Sequence, residues 1–328
     1  MAVLVLDAAQ VRELLTPERA LHAMREALTA LARDEVHQPL RMVVRPPAAA
    51  GLMAVMPSYR SGAGAAYGLK AVCVFHDNPK IGKDAHQGAV LLFSAETGEL
   101  QALMNASAIT EIRTAAVSAI ATDLLARPDA GDLAVVGTGV QGRAHLRAMA
   151  GVRALRRVRV VGRDLERTRT FAAEATELIG RPVEACATVA EAVTGADLIV
   201  TVTTSAEPVL QREWISAGAH INAVGSSIPT AREIDTATMA EASLFVDRRE
   251  STVNESGDYL FAAREGAIDA DHIRAELGAV LIGAAPGRVD EKEITLFKSL
   301  GVAVEDLVAA DHLYREAGRL GVGAQVSY

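Results

Sequence analysis

The stretch of residues 132–150 reads DLAVVGTGVQGRAHLRAMA. Its first five residues form a short apolar run that is typical of a buried strand, and RAHLRAMA at its end is compatible with a helix. A GxGxxG pattern lies between the two. A strand, a glycine turn and a helix in this order predict the phosphate-binding turn of a dinucleotide-binding fold.

Each glycine of this turn has a separate physical role. Gly137 permits the tight turn, Gly139 lets the backbone approach a pyrophosphate, and Gly142 lets the helix pack closely on its strand. The helix N-terminus then faces the anion. We therefore predict that the whole turn binds the cofactor, namely Gly137, Thr138, Gly139, Val140, Gln141 and Gly142.

After this turn, apolar runs alternate with helical segments. The runs are VRVVG (158–162), PVEAC (182–186), ADLIVTVTT (196–204), HINAVGSS (220–227) and SLFVD (243–247). Alternation of this kind implies right-handed crossovers between parallel strands. The fold class predicted for this part of the chain is therefore α/β, with a Rossmann-type doubly wound parallel sheet.

The N-terminal third has a different pattern. A helix is predicted from Thr16 and Pro17 to about Asp34, and residues 40–93 contain short apolar runs broken by Pro, Gly and Asn, which predict a mostly antiparallel sheet. An alanine-rich helix is predicted over 110–125. The tail from Glu293 reads as an amphipathic helix that returns to pack on the first domain.

These patterns predict two domains. An α+β domain covers residues 1–112 and is completed by 303–328, and the Rossmann domain covers 113–302.

Composition excludes several classes of function. The formal net charge of −8 is spread without a basic block, which argues against nucleic-acid binding, and no apolar run is long enough to span a membrane. Cys73 and Cys186 lack CxxC spacing, so neither a disulfide framework nor a metal site is predicted, and a reducing cytoplasm fits. No HExxH motif, carboxylate pair or Ser/His/Asp order favours hydrolase or metal chemistry.

The residues after the second Rossmann strand indicate the cofactor. NAD enzymes usually place an acid there to bind the ribose 2′-hydroxyl, whereas this chain has Arg163, with Arg167 one helical turn further on. A guanidinium favours a 2′-phosphate, so NADP(H) is preferred. NAD(H) stays possible because a shift of one residue would put Asp164 at this place.

Three cations lie in or beside elements predicted to be buried. Lys70 is inside the strand-like run GLKAVCVF, Arg113 is near the start of the alanine-rich helix, and Arg41 precedes the run MVV. An unpaired buried ammonium is costly, so each cation needs an anion. Together they could hold a substrate carboxylate, although each alone is more often a salt-bridge partner. His86 is either structural or part of a loop that faces a cleft.

Motifs along nearly the whole chain resemble the ornithine cyclodeaminase and mu-crystallin family, with the mu-crystallin, ketimine reductase-like branch the most similar. The matching motifs are QPLRMVV, LMAVMPSY, AHQGAVLLF, ITEIRTAAVSAIA, GTGVQG, INAVG, REID, ESGD and FKSLGVAVEDLVAA. Agreement over so many segments is more specific than any one motif.

The resemblance implies imine chemistry in a homodimer whose N-terminal domain and C-terminal helix serve substrate binding and dimerisation. By the same resemblance, Arg41, Lys70 and Arg113 surround the substrate carboxylate and Glu255 lies near the ligand. It also implies a set of cofactor contacts outside the glycine turn, which are His86, Arg163, Thr203, Val224 and Lys298.

One departure from the family pattern bears on the reaction. Ornithine cyclodeaminases and related alanine dehydrogenases typically have GxDxPG after the INAVG strand, where this chain has Ser227. A serine hydroxyl is a much poorer base than a carboxylate. The sequence therefore predicts an NADP(H)-dependent reductase of a 2-imino acid such as pyrroline- or piperideine-2-carboxylate, with Lys70, Arg113 and Ser227 as catalytic residues.

Two alternatives stay open at this point. One is an ornithine or lysine cyclodeaminase, or an alanine dehydrogenase, that uses NAD. The other is a protein of mu-crystallin type that binds cofactor and a small ligand without catalysis.

Overall fold

Two eight-stranded sheets form the centres of two separate units in a computed structural model that describes residues 2–75 and 77–327. The first unit comprises Met1–Arg113 and Gly301–Tyr328, and the second comprises Thr114–Leu300. The long third helix begins in the first unit and ends in the second.

The strands and helices are numbered in chain order. The strands are β1 Ala2–Leu6, β2 Val36–His37, β3 Met42–Val44, β4 Leu52–Arg60, β5 Ala66–Val74, β6 His86–Ser94, β7 Leu100–Asn105, β8 Asp132–Val136, β9 Arg157–Val161, β10 Glu184–Ala185, β11 Leu198–Thr201, β12 His220–Ala223, β13 Ser243–Val246, β14 Ile273–Glu276, β15 Thr295–Lys298 and β16 Ala324–Ser327. The α-helices are α1 Ala8–Leu14, α2 Pro17–Ala32, α3 Ala106–Leu125, α4 Val140–Val152, α5 Leu165–Ile179, α6 Val189–Val193, α7 Thr236–Glu241, α8 Arg249–Glu255, α9 Gly257–Arg264, α10 Leu277–Leu281 and α11 Ala303–Leu320.

The sheet of the first unit is mostly antiparallel, as predicted. Its strand order is β16-β1-β7-β6-β5-β4-β2, with β3 paired to β4. Among the described strands of this sheet, β1 and β7 are the only neighbours that run parallel. Along β5, alternate side chains are buried, and α11 packs on this side of the sheet. Gly68 lies so close to α11 that a Cβ atom would come within 2.9 Å of Leu307.

The sheet of the second unit is entirely parallel, with strand order β10-β9-β8-β11-β12-β15-β13-β14. The four apolar residues of β8 are buried, as expected for a strand covered by helices on both faces. The predicted Rossmann-type α/β class is confirmed, and the predicted strands are found with ends that differ by a few residues.

Local sequence explains where helices begin. Thr16 caps α2 and Pro17 is its first residue, as predicted. The sequence analysis missed α1, although Asp7 and Gln10 form a reciprocal capping box there. The alanine-rich helix α3 begins at Ala106, four residues before the predicted start.

The prediction of one continuous helix from Glu293 is wrong. Residues 295–298 form β15, which lies between β12 and β13 in the parallel sheet and is fully buried. A short apolar run that is buried on both faces has no hydrophobic periodicity by which a strand could be distinguished from a helix. Gly301, with a φ of +74°, lies between this strand and α11.

Hydropathy gives no sign of a membrane-spanning helix: within the described residues, each helix is too short or too polar to cross a bilayer.

Candidate active site

The glycine turn lies at the C-terminal end of β8, where the parallel sheet meets α4. Gly137 has a φ of +124°, which side chains rarely tolerate, and a Cβ atom there would come within 2.7 Å of the Val202 carbonyl oxygen. A Cβ atom at Gly142 would lie 2.3 Å from the Gly137 carbonyl oxygen. These two glycines therefore fix the tight packing of strand, turn and helix.

Gly139 differs from its two neighbours in the pattern. It is the N-cap of α4, no side chain caps the helix there, and a Cβ atom would meet nothing within 4 Å. The first amides of α4 thus lie beside open space. This arrangement fits a dinucleotide pyrophosphate, which would accept hydrogen bonds from these amides and be stabilised by the helix dipole.

The segment after β9 contains the candidate ribose contacts. Arg163 is exposed just beyond the end of the strand. Asp164 is the N-cap of α5, and its carboxylate accepts a hydrogen bond from the Arg167 amide at 2.8 Å. Because Asp164 already caps a helix, Arg163 is the better placed of the two for a nucleotide ribose.

A buried carboxylate, Glu233, organises the ends of β11 and β12. It accepts hydrogen bonds from the amides of Thr203 (2.6 Å) and Gly225 (2.7 Å) and from the Thr201 hydroxyl (2.9 Å). Burial raises its pKa. Glu233 thereby fixes the backbone at Thr203 and next to Val224, which are both predicted cofactor contacts.

Lys298, at the end of β15, is fully buried. Its ammonium lies 2.9 Å from Asp258 Oδ2 and donates to the carbonyl oxygens of Ser226 (2.6 Å) and Ala223 (3.2 Å). This differs from the predicted direct contact between Lys298 and the cofactor, because a side chain without exposed surface cannot touch a ligand. Lys298 instead supports the loop that begins at Val224.

In the first unit, the structure brings the three predicted cations together around the start of α11. Arg41 donates to the Gly301 carbonyl oxygen at 3.1 Å. The guanidinium of Arg113 packs against Gly301, where a Cβ atom would come within 2.4 Å of its Nη1. Lys70 Nζ lies 3.2 Å from Asp306 Oδ1.

Two acids in the first turn of α11 neutralise part of this charge. Arg113 donates to Glu305 at 2.7 Å and to Asp306 at 3.3 Å, and all four side chains of Lys70, Arg113, Glu305 and Asp306 are buried. Arg41 lies at the same place but is only half-buried. Guanidinium groups gathered at one place are suited to bind a carboxylate.

The environment of Lys70 also changes its acidity. Burial lowers its pKa from 10.5 to about 8, an effect that Asp306 opposes and that Arg113 and Arg41 reinforce. An ammonium with a pKa near the working pH can donate a proton.

The remaining predicted site residues lie elsewhere. His86 is exposed at the first position of β6, in the first unit. Ser227 is half-buried in the loop after β12, and Glu255 is the last residue of α8, both in the second unit.

Sequence reasoning missed four acids that hold these elements: Glu233, Asp258, Glu305 and Asp306. All four occur in the motifs REID, ESGD and FKSLGVAVEDLVAA. The signal in the sequence was an acid within a motif whose other residues are predicted to be buried. A buried acid needs a cationic or amide partner.

The second unit, with its parallel sheet and open glycine turn, defines a dinucleotide-binding α/β protein. The chain belongs to the ornithine cyclodeaminase/mu-crystallin family, whose family model matches residues 1–319. The family membership predicted from the motifs is thus confirmed.

Named relatives share this fold over most of their length. The ketimine reductase mu-crystallin of Mus musculus is 43% identical over 279 residues, which are 85% of each chain. The structure of the Thermococcus litoralis Delta(1)-pyrroline-2-carboxylate reductase, solved with NADH and L-proline, has a TM-score of 0.96 and 34% identity, and the match covers 99% of this chain and 100% of that one. An archaeal alanine dehydrogenase dimer with bound NAD has a TM-score of 0.93 and 29% identity over the full length of both chains.

The geometry of the glycine turn yields a prediction with an internal control. Gly139→Ala should leave the fold intact but weaken dinucleotide binding at least about tenfold, because the added methyl group occupies the space beside the α4 amides. Gly151→Ala, in the same helix and also facing open space, should bind as the wild type does. Cofactor titration followed by tryptophan or nicotinamide fluorescence measures both. Equal affinity in the two variants would remove the turn from the cofactor site.

Proposed function

We propose that this protein is an NADP(H)-dependent reductase of 2-imino acids, with pyrroline-2-carboxylate and piperideine-2-carboxylate as representative substrates. The product is the corresponding amino acid. Two relatives bear the names of a ketimine reductase and a pyrroline-2-carboxylate reductase, which supports reduction of a C=N bond. The observation that carries the proposal is the grouping of Arg41, Lys70 and Arg113 around the start of α11.

The cluster gives each cation a separate role. Arg41 and Arg113 bind the substrate carboxylate, and Gly301 and the acids of α11 hold the two guanidinium groups in place. Binding the carboxylate fixes the position of the adjacent C=N carbon, which lowers the entropic cost of reaction. A bound nicotinamide supplies the hydride.

Lys70 completes the reaction on the nitrogen atom. Reduction of C=N adds a hydride to carbon and a proton to nitrogen, so a proton donor is needed. The Lys70 ammonium, with its pKa lowered to about 8 by burial, is a stronger acid than an ordinary lysine. Asp306 holds it in position.

The proposal is tested by NADPH oxidation at 340 nm with pyrroline-2-carboxylate, piperideine-2-carboxylate, and pyruvate with methylamine. Turnover is expected with at least one of them. Saturable NADPH binding without turnover on any substrate would contradict the proposal and favour a ligand-binding protein, and release of ammonia from ornithine without added cofactor would favour a cyclodeaminase.

The role of Lys70 predicts a pH profile. The protonated form is the active one, so kcat/KM should be constant below pH 8 and fall as the pH rises through about 8. Lys70→Met should reduce kcat on the order of 10²-fold, and the decrease in kcat/KM near pH 8 should disappear while NADPH still binds. Lys80→Met, at an exposed lysine, is the control. If the decrease in kcat/KM near pH 8 persists in Lys70→Met, another group is responsible for it.

The preference for NADP(H) rests on Arg163. Arg163→Ser should raise KM for NADPH by about 10- to 100-fold, the cost of losing a charge-assisted bond to the 2′-phosphate, and leave KM for NADH nearly unchanged. Arg169→Ser, at an exposed arginine of α5, should change neither. If Arg163→Ser keeps the wild-type ratio of the two constants, the cofactor preference has another source.

A homodimer is part of the proposal. The face of the first unit's sheet opposite α11 presents exposed apolar side chains, including Met53, Tyr67 and Leu103, and the adjacent β3 exposes all three of its residues. Exposed apolar side chains grouped on one face of a sheet are typical of an interface. A second copy is the proposed cover, in line with the dimeric archaeal alanine dehydrogenase.

Light scattering coupled to gel filtration should therefore give twice the chain mass of 34.5 kDa. Tyr67→Lys should shift the population toward monomer, because it places a charge in the apolar face, whereas Arg169→Lys should not. A monomeric wild type at micromolar concentration would contradict the proposed dimer.

A further inference from the structure

Two histidines and a glutamate meet on the surface of the first unit, outside the residues assigned to the proposed reaction. His22 and Glu26 are four residues apart on α2 and thus project from the same face of the helix. His312 comes from α11, which packs against α2. The ligand atoms that the three side chains offer all lie within 4.8 Å of one another.

The group is already oriented by its own contacts. His312 Nε2 lies 2.7 Å from Glu26 Oε2, and the rings of His22 and His312 meet edge to face with centroids 5.4 Å apart. Arg60 donates to the other oxygen of Glu26.

We propose that His22, Glu26 and His312 bind a zinc ion. Two imidazoles and one carboxylate are a ligand set typical of zinc with an open fourth position for water. His22 is exposed and the other two side chains are half-buried, so solvent can supply that water.

The site needs only a small rearrangement. Ligands at about 2.1 Å from a tetrahedral ion lie about 3.4 Å apart. Glu26 and His312 must therefore separate slightly, and the exposed His22 ring must turn toward them. Arg60 acts as the outer hydrogen bond that fixes a ligating carboxylate.

The expected role of the zinc ion is to crosslink α2 and α11. Glu305 and Asp306, which hold the cations of the proposed active site, lie near the start of α11, and His312 follows on the same helix. The ion is not required for the reduction itself. No metal site was predicted from the sequence, because Glu26 and His312 are 286 positions apart and their spacing gives no signal.

The test uses the full-length protein without a histidine tag, stripped with a chelator, and zinc chloride as the probe. Calorimetric titration at pH 7.5 should give one zinc ion per chain, and Co²⁺ should give the intense visible bands of tetrahedral coordination. Zinc should also raise the midpoint of thermal unfolding.

Substitutions distinguish a specific zinc site from non-specific zinc binding. His22→Gln and His312→Gln should each weaken zinc binding at least about tenfold and abolish the thermal shift, while His37→Gln, at an exposed histidine of the same unit, should change neither. Unfolding midpoints in chelator establish that the variants are folded. No saturable binding by the wild type, or equal affinity in all three variants, would overturn the proposal.

Discussion

The buried ion cluster at the start of α11 is the constraint on which the rest of the first unit depends. Lys70 and Arg113 are buried in the company of Glu305 and Asp306, and removing one partner of such a pair typically costs on the order of 3–5 kcal/mol. Strand β5, helix α3 and helix α11 each contribute a charge. Their mutual position is therefore set by electrostatics as much as by apolar packing, and the cations gathered there form the proposed binding site for the substrate carboxylate.

Buried acidic and basic side chains with fixed partners also organise the second unit. Glu233 is buried against backbone amides at the ends of two neighbouring strands, and Lys298 is buried against carbonyl oxygens and Asp258. Both side chains bond to backbone groups of the loops that follow these strands. The loops at the carboxyl edge of the parallel sheet are thus held in one conformation, which is the edge where such folds bind nucleotides.

Local patterns made much of this fold predictable. The glycine turn follows its strand directly, and the cap at Thr16 and the apolar runs of β8 to β13 are signals that neighbouring residues carry. The strand β15 was missed because four residues buried on both faces carry no period. The partners of Lys70 and Arg113 were missed because they lie 236 and 193 residues away, and only the fold brings them together.

The cluster of Arg41, Lys70 and Arg113 is proposed to bind the substrate carboxylate by charge. Competition against the imino acid substrate tests it most directly, with L-proline and L-prolinamide as inhibitors that differ only in this group. We expect proline to inhibit competitively and prolinamide to bind at least about tenfold more weakly, because prolinamide carries no carboxylate charge. Equal inhibition by the two compounds would show that the cluster does not bind a carboxylate by charge.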